Sequence, residues 1–349
     1  MRKYPVLFLA AAIIGTVISN GCATPYPKSR GLTIKKRLIS DHLGYPTTLQ
    51  IQWHGAASYS IQLGDVSILT DPFFTRHSAL RVLLGTVASD PETVRNKLCK
   101  IPVAKAVFVG HSHYDHILGL ASTLEYWDDP AVRVYGSKTT RNILAGFSSN
   151  RADGQWRPTD TSPGWHDVVP GIDYQALCAE HAPNLACCGV GLLFAPGAVP
   201  KPMTKPPRKA DQFKVGETYA YVFKLSNDYE DRPNCEYRTF TVYFVSAATS
   251  APRGFPDESI ETVDVAILCV PGWKNTAGYP GEFLQRLRPR VVVLSHFDNM
   301  FQEIKGLEQV VPTADLDGFM KEIKRHIDYP EFERLVVPDV DELLQFRKP

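Results

Sequence analysis

An α/β domain of four layers, with two β-sheets inside and helices on both outer faces, is the fold class this sequence predicts. Three observations predict it. Turn-punctuated alternating strands come first, between Thr47 and Phe74, and β-α alternation follows them. Apolar β-branched runs such as "KAVFV" (Lys105–Val109) and "RVVVLSHF" (Arg290–Phe297) have the character of buried strands. The 349 residues, 44% hydrophobic and 21% charged, have the balance of a globular chain with ample material for a core.

The elements follow in order. Arg2 and Lys3 precede an almost unbroken apolar run from Tyr4 to Ser19. A basic start, an apolar centre and small residues after it make an export signal, and the run is shorter than the about 20 residues of a spanning helix. Cys22 follows Gly21, and this end resembles the lipobox of bacterial lipoproteins, with Ser19 where Leu is usual. The resemblance implies lipid attachment at Cys22 and a place in the bacterial cell envelope, at the outer membrane facing the periplasm; a cleaved signal without lipid and an uncleaved anchor stay open. Residues 1–22 are thus assigned to the signal, 23–46 to a tether and 47–349 to the single domain. Export permits disulfides, and Cys178, Cys187 and Cys188 lie close enough in sequence for one bridge. Cys269, inside "VAILCV", suits a small core residue.

"TTLQIQWHGAASYSIQLGDVSILTDPFF" predicts two or three antiparallel strands with a turn at Leu63-Gly64-Asp65. Asp90 and Pro91 are the N-cap and first turn of a helix, "DPETVRNKL". "ILGLASTLEYW" and "SKTTRNILAGF" are helices around a strand, "VRVYG", and residues 148–164 are loop-rich. "HDVVPG" and "YQALCAEH" are strands, and the Pro- and Lys-rich stretch 196–216 is a long loop. "YAYVFKL", "RTFTVYFVSA" and "DVAILCV" are strands, "GEFLQRL" a helix, "TADLDGFMKEIKRHI" a helix lying on a core, and "ERLVV" the last strand. The formal net charge of +1 gives no global field for nucleic acid.

The chemistry is concentrated in "VGHSHYDHILG" (Val109–Gly119), with His111, His113, Asp115 and His116 after a strand and before a helix expected from Ile117 on. Imidazole nitrogens and carboxylates at such spacing are metal ligands, but one short loop does not enclose an ion and needs partners from distant strand ends. His181, in "AEHAPN", and His296, in "VVVLSHFDN", both end strands. His42, His77, His166 and His326 are given structural roles, with His166 as the fallback for His181. Asn184, Trp273, Lys274 and Asn299 are weighed as substrate contacts against surface roles. The loop basic residues Lys201, Lys205, Arg208 and Lys209 are weighed as a solvated face against an anionic head-group site.

"HSHYDH" is the H-x-H-x-D-H motif, and with "ILTDPFF" and "WHGAASYSIQLGDVSILTDP" the chain from about Leu49 to Phe297 resembles the metallo-β-lactamase fold superfamily, in the branch of the ascorbate-phosphate lactonases and the N-acyl-phosphatidylethanolamine phospholipases D. The resemblance implies two zinc ions, with manganese or iron as alternatives. His111, His113 and His181 would hold one ion, and Asp115, His116 and His296 the other. Asp71 and His54 would lie behind the ligands. It implies a metal-dependent hydrolase that uses a metal-bound hydroxide on a small or lipid-like ester, lactone or phosphodiester, with Asp115 as a source of the leaving-group proton. One departure stands out. Ser246-Ala247-Ala248 occupies the place of an "SGD" motif, so Ala248 replaces the carboxylate that bridges the metals in many relatives; Asp228, Asp231 and Asp264 do not fit that position. A non-catalytic metal-binding or scaffold lipoprotein is therefore the alternative reading, and a β-lactam hydrolase a lesser one.

Overall fold

The computed structural model describes residues 48–147, 154–182, 195–227, 238–303, 310–311 and 314–348. Cys22 with its signal and tether, Asn184, Cys187, Cys188, Asp228 and Asp231 lie outside them.

The described chain builds two mixed seven-stranded sheets. The first contains β1 (Leu49–Gly55), β2 (Ser58–Leu63), β3 (Val66–Thr70), β4 (Ala106–Phe108), β5 (Arg133–Gly136), β6 (Trp156–Pro158) and β14 (Leu343–Phe346), in the order β14-β1-β2-β3-β4-β5-β6. The second contains β7 (His166–Val169), β8 (Ile172–Ala179), β9 (Thr218–Ser226), β10 (Thr239–Val245), β11 (Val265–Cys269), β12 (Val291–Ser295) and β13 (Arg334–Val336), in the order β13-β12-β11-β10-β9-β8-β7. Antiparallel hairpins at β1-β2-β3 and β8-β9-β10 give way to parallel pairing at β3-β4-β5-β6 and β10-β11-β12-β13.

Alternation along the strands decides the layers. In β4, Ala106 and Phe108 face the second sheet while Val107 between them packs under helices. Phe108 touches Tyr174, Tyr221 and Phe223 of the opposite sheet at ring-centroid distances of 5.3, 5.2 and 4.7 Å, an aromatic seam through the middle of the sandwich. Helices α1 (Ala79–Leu84), α2 (Pro91–Leu98), α3 (Tyr114–Ile117), α4 (Leu120–Trp127) and α5 (Lys138–Leu144) lie on the first sheet's side. Helices α6 (Gly281–Leu287) and α7 (Leu316–His326) cover the second, α7 through Leu316, Phe319 and Ile323, spaced for one helical face. Helix α2 starts as the sequence predicts, with Asp90 accepting from Glu92 N and Thr93 N and Pro91 at the first position.

Two expectations need correction, and two elements are added to them. "ERLVV" is not the last strand: β14 follows it and pairs antiparallel with β1, Leu49 opposite Phe346. The loop-rich stretch 148–164 also holds the short β6, which extends the first sheet in parallel. Helix α1 was not expected, because "ALRVLL" is a short segment that buries only Val82. The helix after the histidine motif starts earlier than Ile117: His113 caps the single turn α3, which carries Asp115 and His116.

Candidate metal centre

The parallel geometry brings the C-terminal ends of strands from both sheets to one edge. Beyond β4 the chain runs through Val109, whose carbonyl accepts from the Tyr221 hydroxyl at 2.9 Å, to Gly110. Gly110 is sterically required: a Cβ there would stand 2.1 Å from Ser246 Oγ. The four motif residues are almost fully buried, although each is polar. Burial of that many ionisable groups is costly unless they are paired or bind metal.

Two triads form. His111, His113 and His181 make one, and Asp115, His116 and His296 the other, each offering ligand atoms within 4.8 Å of one another. The His111 ring lies 4.8 Å from both His113 and His181, and those two are 4.8 Å apart. In the second triad Nε2 of His296 is 3.2 Å from Nε2 of His116 and 3.3 Å from Oδ2 of Asp115, which is 3.7 Å from His116. Two ligands of a tetrahedral zinc at about 2.0–2.1 Å are about 3.3–3.4 Å apart, so these spacings suit a shared ion. The triads abut, His111 on His116 at 3.8 Å between ring centroids.

Each of four imidazoles also holds a partner on the side away from the cluster. His116 Nδ1 donates to Asp71 Oδ2 at 2.8 Å, while Asp71 Oδ1 accepts from Gly110 N at 2.7 Å. His111 Nδ1 bonds Ser246 Oγ at 3.1 Å, and the Ser246 hydroxyl also reaches Asp71. His113 Nε2 meets the Ala195 carbonyl at 3.3 Å, and His181 Nδ1 the Ala182 carbonyl at 2.8 Å. Such contacts fix tautomer and ring orientation, and leave the other nitrogen to ligate. His111 Nε2 and Asp115 Oδ1 are buried with no hydrogen-bond partner among the described residues, as donor atoms intended for an ion are.

Protonation follows from burial. Desolvation pushes the His113 imidazole down to about 3 and His181 to about 4, and His111 well below its usual range, with neighbouring imidazoles adding to the effect at His111 and His113. Burial opposes ionisation of Asp115, but the His116 charge and the His296 hydrogen bond outweigh it, and its carboxyl titrates low. Burial alone would lower His296; its bond to Asp115 and that charge raise it. Asp71 is raised, chiefly by burial, against the pull of His116 and Gly110.

The structure thus brings together His111, His113, Asp115, His116, His181 and His296, with Asp71 directly behind them. It does not bring His54 there: His54 bonds Ser60 Oγ at 3.1 Å and faces Asp341 at 3.5 Å, binding strands together. His166 sits at the start of β7 with Ser162 and Asp160, His77 bonds the Ala88 backbone, and His326 pairs with Glu322. Trp273 and Lys274 both engage Asp315, and Asn299 accepts from Phe301 N. Ala248 is fully buried in the apolar core, where its methyl and that of Ala182 close on Gly272. Asp264 is instead tied to Thr241 and Arg290. Ser246 and the Ala195 carbonyl are orienting partners that sequence reasoning missed, being 135 and 82 residues from the histidines they touch.

A cleft of about 510 Å³ opens at His181, lined among others by Thr161, Cys178, Glu180, Glu217 and Tyr219. No Lys or Arg is among its described lining residues. Lys201, Lys205, Arg208 and Lys209 are not among its described lining residues, although their loop returns to the cleft at Val215 and Gly216; the loop backbone also bonds α5 at Asn142 and the segment after α1 at Val87.

Residues 67–192 match the family model described as the beta-lactamase superfamily domain. Among solved structures, Igni18, a novel metallo hydrolase from the hyperthermophilic archaeon Ignicoccus hospitalis, aligns at 16% identity over 87% of this chain and 100% of its own, with a TM-score of 0.50. The metallo-beta-lactamase fold protein YhfI from Bacillus subtilis aligns at 13% identity over 86% and 100%, TM-score 0.46. The isothiocyanate hydrolase from Delia radicum gut bacteria aligns at 14% identity over 85% and 99%, TM-score 0.46.

Proposed function

We propose that this chain, which carries a beta-lactamase superfamily domain in the metallo-β-lactamase sandwich fold, is a metal-dependent hydrolase with a two-ion centre, zinc being the ion its donors suit best. The observation that carries the reading is the pair of abutting triads, an all-imidazole set beside a carboxylate and two imidazoles, with buried donor atoms left open. When bound, two such ions polarise a substrate oxygen and lower the pKa of water to about 7.

The chain's own residues do the rest. His113 and His181 stay neutral at any physiological pH and so remain electron-pair donors. Asp71 and Ser246 orient His116 and His111. Asp115 offers two carboxylate oxygens, one that would hold the second ion and one that would relay a proton from the attacking water to the leaving group. The cleft at His181 receives the substrate. The two glutamates among its described lining residues, of which Glu180 is paired with Arg253, favour a neutral ester or lactone over a phosphodiester. The lipobox-like end at Cys22 supports a place in the bacterial envelope, tethered by lipid to the outer membrane.

A non-catalytic metal-binding protein is the second reading, favoured by the buried methyl of Ala248 at the place where the resemblance implies a bridging carboxylate. The two separate on one experiment. The purified chain should hold about two zinc ions, hydrolyse a member of a lactone and carboxylate-ester panel, and lose activity at least about 100-fold in Asp115→Ala. Two ions with no turnover across esters, lactones, phosphodiesters and β-lactams would select the second reading; no metal uptake would sink both.

A further inference from the structure

His296 reaches the second triad from an unusual backbone. It follows β12 with φ of 63°, in the left-handed region that a non-glycine residue seldom occupies without being held there. What holds it is visible. The His296 amide donates to the Ala56 carbonyl at 3.0 Å, and Ser295 Oγ donates to the same oxygen at 3.2 Å. Ala56, itself at φ of 45°, is gripped in turn by Asp298, whose two carboxylate oxygens accept its amide at 2.9 and 3.1 Å. Asp298 is paired with Arg76, which also donates to the Asn299 carbonyl at 3.2 Å. The pair is buried, side chains 2% and 0% exposed. Gly55 makes room for it: φ is 100°, and a Cβ there would stand 2.1 Å from the Arg76 guanidinium.

We infer that Arg76 and Asp298 are positioning residues for the second metal: they clamp Ala56, and Ala56 holds His296 in its ligating pose. The inference rests on the metal reading above. Among the described residues the first triad is oriented by other groups than this clamp, so the two sites differ in what supports them. His111, His113 and His181 depend on Ser246, Ala195 and Ala182. Among the described residues His296 is held by the clamp and its triad partners. With Ala248 where the resemblance implies a bridging carboxylate, the second ion would rest on its own triad, in which His296 is the member that this turn presets. A buried ion pair is a costly way to make a turn, and its use beside a ligand is accounted for by precision there.

The test uses the full chain and zinc alone, in zinc-buffered titrations, with cobalt(II) absorption as a second reading of each site. Wild type should show two binding steps. Asp298→Asn keeps the shape and removes the charge; it should weaken the second step about 10–100-fold and leave the first within about twofold. Gly55→Ala, which retains both charged partners but crowds them, should reproduce the same selective loss, and so guards against a folding defect peculiar to a lone buried Arg76. Equal weakening of both steps in both variants, or no change in the second, would overturn the inference. A wild-type chain that takes up no zinc would remove the metal reading itself, a result obtained before any variant is made.

Discussion

At the scale of single residues, the centre is a study in suppressed charge. His113 and His181 would carry protons in an unfolded chain below about pH 6.5, yet burial holds them neutral down to about 3 and about 4. The sign is clear: between those limits the unfolded state binds more protons, so they cost stability as pH falls and cost nothing above about 6.5. His296, raised by Asp115, contributes stability that is complete by about pH 6.5 and lost only above it, so it leaves this slope unopposed. The metal-free protein should therefore lose urea stability steadily from about pH 6.5 towards pH 4, and His113→Gln should flatten that slope; a wild-type profile flat across this window would contradict the assignment. The motif residues were legible because their chemistry is local. Ser246 was not legible as a partner of His111, because a serine in "VSAAT" has no feature that points 135 residues upstream.

At the scale of elements, long apolar runs announced themselves and short edge pieces did not. β10, β11 and β12 are buried along almost their whole length and have no competing pattern. β6 and β14 have three and four residues, among which Phe346 alone is buried, too short and too exposed for a strand period to stand out. β14 matters all the same. It covers the open edge of β1, and Asp341 just before it donates its amide to the Trp53 carbonyl at 2.6 Å while its carboxylate pairs with Lys97 at 2.5 Å and faces His54. Those partners hold the Asp341 carboxyl down to about 2 against the effect of burial. Phe346→Ala, which empties a buried site opposite Leu49, should lower stability by about 3 kcal/mol in chemical denaturation. A loss under about 1 kcal/mol would mean that the strand is an ornament to the sheet and not part of its closure.

At the scale of the whole molecule, a net charge of +1 supplies no steering field, so substrate choice falls to local groups. In the cleft these are Glu180, already paired with Arg253 at 2.9 Å, and Glu217. Glu217→Lys should raise kcat/KM for an anionic phosphodiester such as bis(p-nitrophenyl) phosphate on the order of fivefold relative to a neutral ester; an unchanged ratio would detach the glutamates from selectivity. The sequence by itself determined the layered α/β class, the order of its long strands and the six donor residues, because hydrophobic period and ligand chemistry are written residue by residue. Tertiary structure alone decided that the donors fall into two abutting triads, that His54 belongs to a strand contact and not to the centre, that the basic loop meets the cleft at Val215 and Gly216, and that Arg76 and Asp298 stand behind His296. Those facts depend on which distant strand ends share an edge, and proximity across more than a hundred residues is a property of packing that no local pattern encodes.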